Sequence, residues 1–378
     1  MQQTDLSNRV SDVSLPSSND IDSKDIIIAL WKGKLIIAVV TFVCAAIAVV
    51  YALTAKQVWT TESLITYPQV SDFSDYRQMV SDYQPIFDVY QDDGTVLVSR
   101  KLDDIILPKT LFDIFIQQFE SRANKKAYIG ANVEFQRELS QVKADVQGST
   151  ERDVREQESR LYSEWYAKLA ATPIKVAVNQ EVNQYTLQGQ LSAADDSYAF
   201  LSGYIDFVAE KSRSIAVANF YSVVASKRSE ITQQQALFTD QARSRLLNER
   251  VQAQYALEIA LAAGLDKPQQ NLNSEDLFAI NIGADALTAK VKVLGGLTQL
   301  SIIEPRLHQL SAKFDLLNNL TINPDVVFNT FQFIESPEKP ISRTSPKRPL
   351  VAIFGALFGG ILGAIIVLIR AFSPKKED

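Results

Sequence analysis

Residues 195–264 read DDSYAFLSGYIDFVAEKSRSIAVANFYSVVASKRSEITQQQALFTDQARSRLLNERVQAQYALEIALAAG, a stretch with no proline and one internal glycine, Gly203. Nothing in it breaks a helix: proline would remove a backbone donor and clash with the preceding turn, whereas one glycine costs only about 1 kcal/mol. Ser192 with Asp195 three residues on has the pattern of a helix start, and Gly264 followed by Pro268 is a stop signal. A continuous helix of this length spans roughly 105 Å at 1.5 Å per residue, far more than the width of a globular domain. Its apolar content is uneven. Phe200, Leu201, Ile205, Val208, Val217, Phe220, Val223 and Val224 can pack on a sheet, while 226–245 is mostly Gln, Ser, Lys, Arg and Glu apart from Ile231, Leu237 and Phe238. Residues 251–265, VQAQYALEIALAAGL, turn apolar again. A helix that is polar in the middle and poorly covered in its own chain is marginal alone, so parallel copies in other protomers are expected to cover it. Two alternatives stay open. One is a two-stranded coil within the chain, which the missing a/d heptad through 226–245 disfavours; the other is a break near Ser226.

On either side of the long segment lie its packing partners. Val58–Tyr67, Ile174–Leu191 and Val326–Ile334 have strand-forming content and are expected to make one sheet. Helices are expected over 112–170, with a break at Ser149 and Thr150. Residues 277–294 should pack on the distal end of the long helix, with Leu257 and Leu261 as tip-packing or oligomer contacts, before Gly295-Gly296 breaks the chain. A shorter helix over 297–320 then returns, interrupted near Pro305.

Two uncharged apolar runs stand near the chain ends. LIIAVVTFVCAAIAVVYALTA fills 35–55 between Lys34 and Lys56, and LVAIFGALFGGILGAIIVLI fills 350–369 between Pro349 and Arg370. Each, at about 20 residues, matches the roughly 30 Å hydrocarbon core of a bilayer. The first is longer than a signal-peptide apolar region and lacks a small-x-small cleavage site before Lys56. Lys24, Lys32 and Lys34 precede it closely, which favours a cytoplasmic N-terminus. The second run fits that rule less cleanly, because Lys339, Arg343, Lys347 and Arg348 lie before it. The resulting domain plan is a cytoplasmic tail and interfacial segment at 1–34, with 1–23 disordered and Trp31 at the inner surface; a first span at 35–55; a soluble domain at 56–349 containing the long helix at 195–264; a second span at 350–369; and a short cytoplasmic tail at 370–378. The fold class is α+β, with a membrane-proximal base, a very long extended helix and two flanking transmembrane helices.

Composition narrows the chemistry. The chain has 378 residues and a net charge of −6, against general nucleic-acid binding. One cysteine, Cys44, lies inside the first span, so no intramolecular disulfide can form. A Cys- or His-rich metal site and a Cys–His dyad are excluded by counting, and the sole histidine, His308, sits in a helical stretch that suits a surface or packing role. No phosphate-cradling Gly-x-x-x-x-Gly-Lys-Ser/Thr pattern occurs. No cofactor, metal or catalytic residue is expected.

Particular residues carry a resemblance. Leu30-Trp31-Lys32-Gly33-Lys34 precedes the first span and Trp59-Thr60 follows it; Ile282-Gly283-Ala284-Asp285-Ala286-Leu287 follows the long helix; and Pro337-Glu338-Lys339-Pro340, then Ser345-Pro346-Lys347-Arg348-Pro349, lead into a glycine-rich span. In these features the chain resembles the Wzz chain-length determinants, the class 1 polysaccharide co-polymerases. The resemblance implies a homo-oligomeric, non-enzymatic scaffold on the bacterial inner membrane, with a periplasmic main domain and both termini cytoplasmic. It implies control of the modal length of lipopolysaccharide O antigen made by a Wzy-type polymerase, with lipid-linked polysaccharide and inner-membrane lipids as further partners. Enterobacterial common antigen or another surface polysaccharide stays open as the target, as does a two-span periplasmic sensor or adaptor. Class 2 relatives add a cytoplasmic tyrosine kinase, which is not expected in the eight residues after Arg370. Pro337, Pro340, Ser345, Pro346, Lys347 and Pro349 are expected at the membrane boundary, the prolines making a stiff extended lead. Gly355, Gly359 and Gly363 share one helix face that allows close approach, either to the polymerase or to the first span of the same chain.

Overall fold

A computed structural model of the chain describes residues 28, 30–91, 93–145, 150–174, 183–268 and 278–372. The disordered tail expected over 1–23 lies outside the described residues, as do residues 373–378. In chain order the elements are α1 (Lys34–Thr54), β1 (Trp59–Thr66), α2 (Ser74–Ser81), α3 (Gln84–Phe87), β2 (Val89–Tyr90), β3 (Val96–Leu97), α4 (Pro108–Glu120), α5 (Arg122–Gly130), α6 (Val133–Asp145), α7 (Glu151–Ala167), β4 (Leu169–Pro173), β5 (Gln184–Leu191), α8 (Ala194–Ala262), α9 (Ala284–Gly296), α10 (Arg306–Asn319), β6 (Gln332–Glu335) and α11 (Arg348–Phe372). They fall into two compact units. One takes the chain through Thr61, Gln190–Tyr198 and everything from Lys339; the other takes Glu62–Gly189 and Ala199–Glu338.

In the first unit, α1 and α11 are long and apolar enough to cross a bilayer, and little of either is buried within the protein. α1 lies one residue earlier than the expected 35–55, and α11 runs past both ends of the expected 350–369. The segment before α11 is pinned beside the start of β1: the Val58 amide donates to the Ser345 carbonyl (3.0 Å), and the Thr344 amide to the Val58 carbonyl (2.9 Å). A buried hydroxyl pair, Thr61 and Ser197 at 2.8 Å, lies in the same unit.

The second unit is built on a four-stranded sheet ordered β4-β5-β1-β6. β4 and β5 form an antiparallel pair with Leu169 opposite Gly189, and β1 pairs antiparallel with β6 with Leu64 opposite Glu335. The strand expected from Val326 begins only at Gln332. The residues before it make other contacts: the Asn329 amide donates to the Asp72 carbonyl (2.8 Å), and Phe328 is buried against Tyr76, their rings 4.5 Å apart. The expected 112–170 helical region is four helices. Pro108 opens α4 and the Ser121 side chain caps α5. Asn132 Oδ1 accepts from the Glu134 and Phe135 amides at the start of α6, and a Thr150–Asp153 capping box opens α7. Their apolar faces meet the sheet and α8 through an aromatic cluster. Trp165 packs edge-on to Phe135 and Phe200, and Phe119 packs on Tyr204. Burial pushes the Tyr204 phenol's pKa well up, and its hydroxyl donates to the Phe119 carbonyl (2.7 Å).

α8 is one unbroken helix of 69 residues, so the break near Ser226 does not occur. Its buried residues follow the helical period: Phe200, Leu201, Tyr204, Ile205, Val208, Ala216, Val217, Phe220, Val224 and Ile231. Cover comes from a region the sequence left unassigned, 68–107, which contributes Phe73, Tyr76, Val80, Tyr83, Ile86 and Phe87, and from Leu310 and Leu317 of α10. The helix therefore has more support within its own chain than composition suggested. Pro305 caps the return helix α10, as the interruption there implied.

Candidate functional site

Three places on this scaffold hold the residues that sequence singled out or left unexplained. The first is the contact between the spans. A Cβ on Gly355 would collide with the Ala48 side chain; on Gly359 it would lie 2.7 Å from Cys44 Cβ and 2.8 Å from Thr41 Cα; on Gly363, 2.8 Å from Ile37 Cα. Gly33 meets Val367 in the same way. Position rises along one helix as it falls along the other, so the spans are antiparallel, with residues 33 and 367 together at one end. The three-glycine face thus lies against α1 of the same chain, the second of the two partners that spacing allowed. Gly360, on another face, has only Thr41 Oγ1 at 3.7 Å. The lead before α11 carries the other boundary residues. Pro337 and Pro340 are half-buried in a segment outside helices and strands, Ser345 and Lys347 are exposed, Pro346 follows a cis peptide bond, and Pro349 sits in the first turn of α11. Lys339 is ion-paired to Asp195 (2.7 Å).

The second place is the distal end of α8. Ala256 and Ala260 are buried against Ala284 and Leu287 of α9, with Leu257, Leu265, Phe278, Ile280 and Ile282 around them. Of the two leucines expected to pack here, Leu257 lies at the rim and Leu261 is 59% exposed. Leu257 thus packs against the tip cluster at its edge, while the centre of the contact is made by Ala256 and Ala260 and the Leu261 side chain is left to the surface. Gly264 ends the helix with positive φ (66°) while the Leu265 amide returns to the Ala260 carbonyl (2.9 Å). Gly283, also at positive φ (83°), lets the chain pass its own backbone, since a Cβ there would lie 2.6 Å from the Lys267 carbonyl carbon.

The third place, missed in the sequence, is a groove of about 560 Å³ between α8, α10 and the β2–β3 hairpin, lined by Tyr90, Lys227, Gln234, Phe238, Arg306 and Lys313 among others. The only sequence signal was Phe238, an aromatic in a polar stretch, and its partners come from segments far apart in the chain. At the edge, the carboxylate of Glu304 is buried and takes Arg245 (3.2 Å) and Arg306 (2.9 Å), whose guanidinium stacks 4.0 Å from the Phe238 ring centre. The Arg306 hydrogen bond, helped by the charges of both arginines, holds the Glu304 carboxyl below its ordinary pKa. Lys313 donates to the Asp88 carbonyl, and its pKa is lowered by burial and by the nearby Lys227 charge. His308 is exposed on α10, and among the described residues no group of His, Cys, Asp and Glu could hold a metal ion.

Two antiparallel apolar helices at the chain ends, a small sheet and a 69-residue helix define the class: a two-span protein with the polysaccharide co-polymerase fold. That fold is shared with a solved full-length bacterial polysaccharide co-polymerase at a TM-score of 0.59 and 22% identity, covering 94% of this chain and all of that one. The family model for the Wzz chain length determinant protein matches residues 19–110, which hold the first span, β1 and the region through the start of α4. Relatives extend the similarity over the rest of the chain. The ferric enterobactin transport protein FepE of Escherichia coli strain K12 is 25% identical over 374 residues, 96% of this chain and 92% of its own. A chain length determinant protein of Shigella dysenteriae is 25% identical over 356 residues, 93% and 92% respectively.

Proposed function

We propose that this chain sets the modal length of a surface polysaccharide, the O antigen of lipopolysaccharide, as a homo-oligomeric scaffold beside a Wzy-type polymerase in the inner membrane. The observation that carries the reading is the extent of the similarity: 93% of this chain aligns with a chain length determinant protein, and the fold follows a full-length co-polymerase over 94% of it. The scaffold role asks for no catalytic residue in this chain. The N-terminus is cytoplasmic and the domain between the spans periplasmic, in keeping with Lys32 and Lys34 before the first span and with the antiparallel spans. Oligomerisation is favoured by the large apolar side chains α8 leaves exposed: Tyr221, Leu237, Leu247, Tyr255, Ile259 and Leu261. The groove of Tyr90, Gln234 and Lys313 offers a saccharide an aromatic face beside amide and ammonium donors.

Deletion of the gene, followed by a silver-stained lipopolysaccharide gel, tests the function. The modal cluster should collapse to a broad, short-biased ladder and return on complementation. An unchanged ladder overturns the O-antigen reading. A change confined to enterobacterial common antigen moves the target to that polymer. Growth on ferric enterobactin, scored in the same strains, is expected to be unaffected; its selective loss would favour the role named for the FepE relative.

A further inference from the structure

The basic cluster before the second span is unexplained by the scaffold role and runs against the usual placement of positive charge. Charge accounting in that unit separates its members. Lys339 has Asp195. Arg343, Lys347 and Arg348 have no carboxylate within ion-pair range among the described residues. Both arginine residues are half-buried overall, and Arg343 Nη1 and Arg348 Nε are shielded from solvent without an acceptor. An unmet donor on a charged group is costly, and rotation of either guanidinium onto an external oxygen anion would relieve the cost. The segment is held in place by the Val58–Ser345 and Val58–Thr344 backbone bonds and by the Thr344–Thr60 hydroxyl contact (2.8 Å).

The depth of the cluster selects the anion. Arg348 opens the helix that crosses the bilayer, and Arg343 lies five residues before it in non-helical chain. The headgroup layer is roughly 5–8 Å thick on each side of the hydrocarbon core, so these side chains reach the plane of lipid phosphates. Arginine matches a phosphate's paired oxygens with its fork of donors. We propose that Arg343 and Arg348, with Lys347 beside them, form a binding site for the phosphate of an anionic phospholipid headgroup in the leaflet next to the domain between the spans. An acidic surface on another protein could meet the same charges. Lipid is favoured because phosphate is always present at that depth, while the unmet donors need an acceptor whether or not a protein partner is bound.

Full-length protein, delipidated in mild detergent and studied by native mass spectrometry, is titrated with phosphatidylglycerol and, separately, with phosphatidylcholine. Phosphatidylglycerol should bind the wild type preferentially, and its affinity should fall roughly 10- to 30-fold in Arg343→Gln/Arg348→Gln, as expected for two juxtamembrane charges. Arg343→Lys/Arg348→Lys, which keeps charge but loses the fork, should fall between the two. Competition by inorganic phosphate at millimolar concentration would show that the phosphate group itself is recognised and supports the site. Equal binding of phosphatidylglycerol by the wild type and the glutamine variant, with both intact by thermal unfolding, overturns the proposal. So does rescue of the unpaired cations only by an added protein partner. If the glutamine variant does not fold, the lysine variant decides: affinity equal to the wild type's counts against an arginine-built site.

Discussion

Gly203 is the one glycine inside α8, and its reason lies across the core. The Tyr128 hydroxyl rests where a Cβ would go and donates to the Phe200 carbonyl (3.1 Å); burial pushes its pKa up to about 12, so it stays protonated near neutrality. Alanine in a helix is worth about 1 kcal/mol over glycine, but here the methyl would displace that hydroxyl. Gly203→Ala should therefore fail to stabilise the wild type, and should gain about 1 kcal/mol in a Tyr128→Phe background. Urea unfolding of the four members of the cycle measures this; the same gain in both backgrounds would exclude the steric account. Glu304 supplies the second residue-scale expectation. Its folded pKa is depressed, so its stabilising share is complete above the unfolded carboxyl value of about 4.3 and fades as pH falls through the lower folded value. Glu304→Gln should cost about 1–3 kcal/mol at pH 7, as charged hydrogen bonds to Arg245 and Arg306 are lost, and the gap to wild type should narrow below pH 4. A pH-independent difference in denaturation midpoint would remove the carboxylate from the explanation.

Among the elements, the span pair gives the sharpest contrast. A methyl on Gly359 meets Thr41 backbone, which cannot rotate away, whereas Gly360 has ordinary space beside it. Gly359→Ala should weaken packing of α11 on α1 by about 1–3 kcal/mol, and Gly360→Ala should leave it unchanged. Expression level and thermal stability in detergent read the difference; equal behaviour would mean the two spans do not pack through this face. Alanine is less benign here than its size suggests, because the neighbouring atoms belong to a helix backbone. If Gly359→Ala protein is stable but the lipopolysaccharide ladder changes, the glycine face also serves the polymerase, the role the sequence alone left open.

For the whole molecule, the question is what covers the long helix. Its inner face is covered by its own chain through Ile231 and Ala242 and again at Ala253, Ala256 and Ala260, yet Leu247, Tyr255 and Leu261 remain exposed. Ala260→Glu should unfold the tip, because a carboxylate there is buried without a partner. Leu261→Glu should leave monomer stability within about 0.5 kcal/mol. It should instead shift the oligomer toward smaller species, as seen by light scattering in mild detergent at micromolar concentration. An oligomer unaffected by Leu261→Glu and Leu247→Glu together would place the contact between copies on another face.

Local chemistry determined the elements that need no partner to be specified. An apolar run of bilayer length, a proline-free segment ended by Gly264, and turn signals at Thr150 and Pro305 each act through backbone sterics or solvation within a few residues. Periodicity likewise placed Phe200 to Val224 on a buried face. Tertiary structure alone decided which surfaces meet. It put Ala256 and Ala260 at the centre of the contact with α9, with Leu257 at its edge and Leu261 on the surface, turned the glycines of α11 onto α1, and gathered Phe238, Arg306, Tyr90 and Lys313 around one groove. Burial and close approach are set by the distance between elements remote in sequence. A helix of this length exposes residues of every type, and its own pattern does not say how near its neighbour comes.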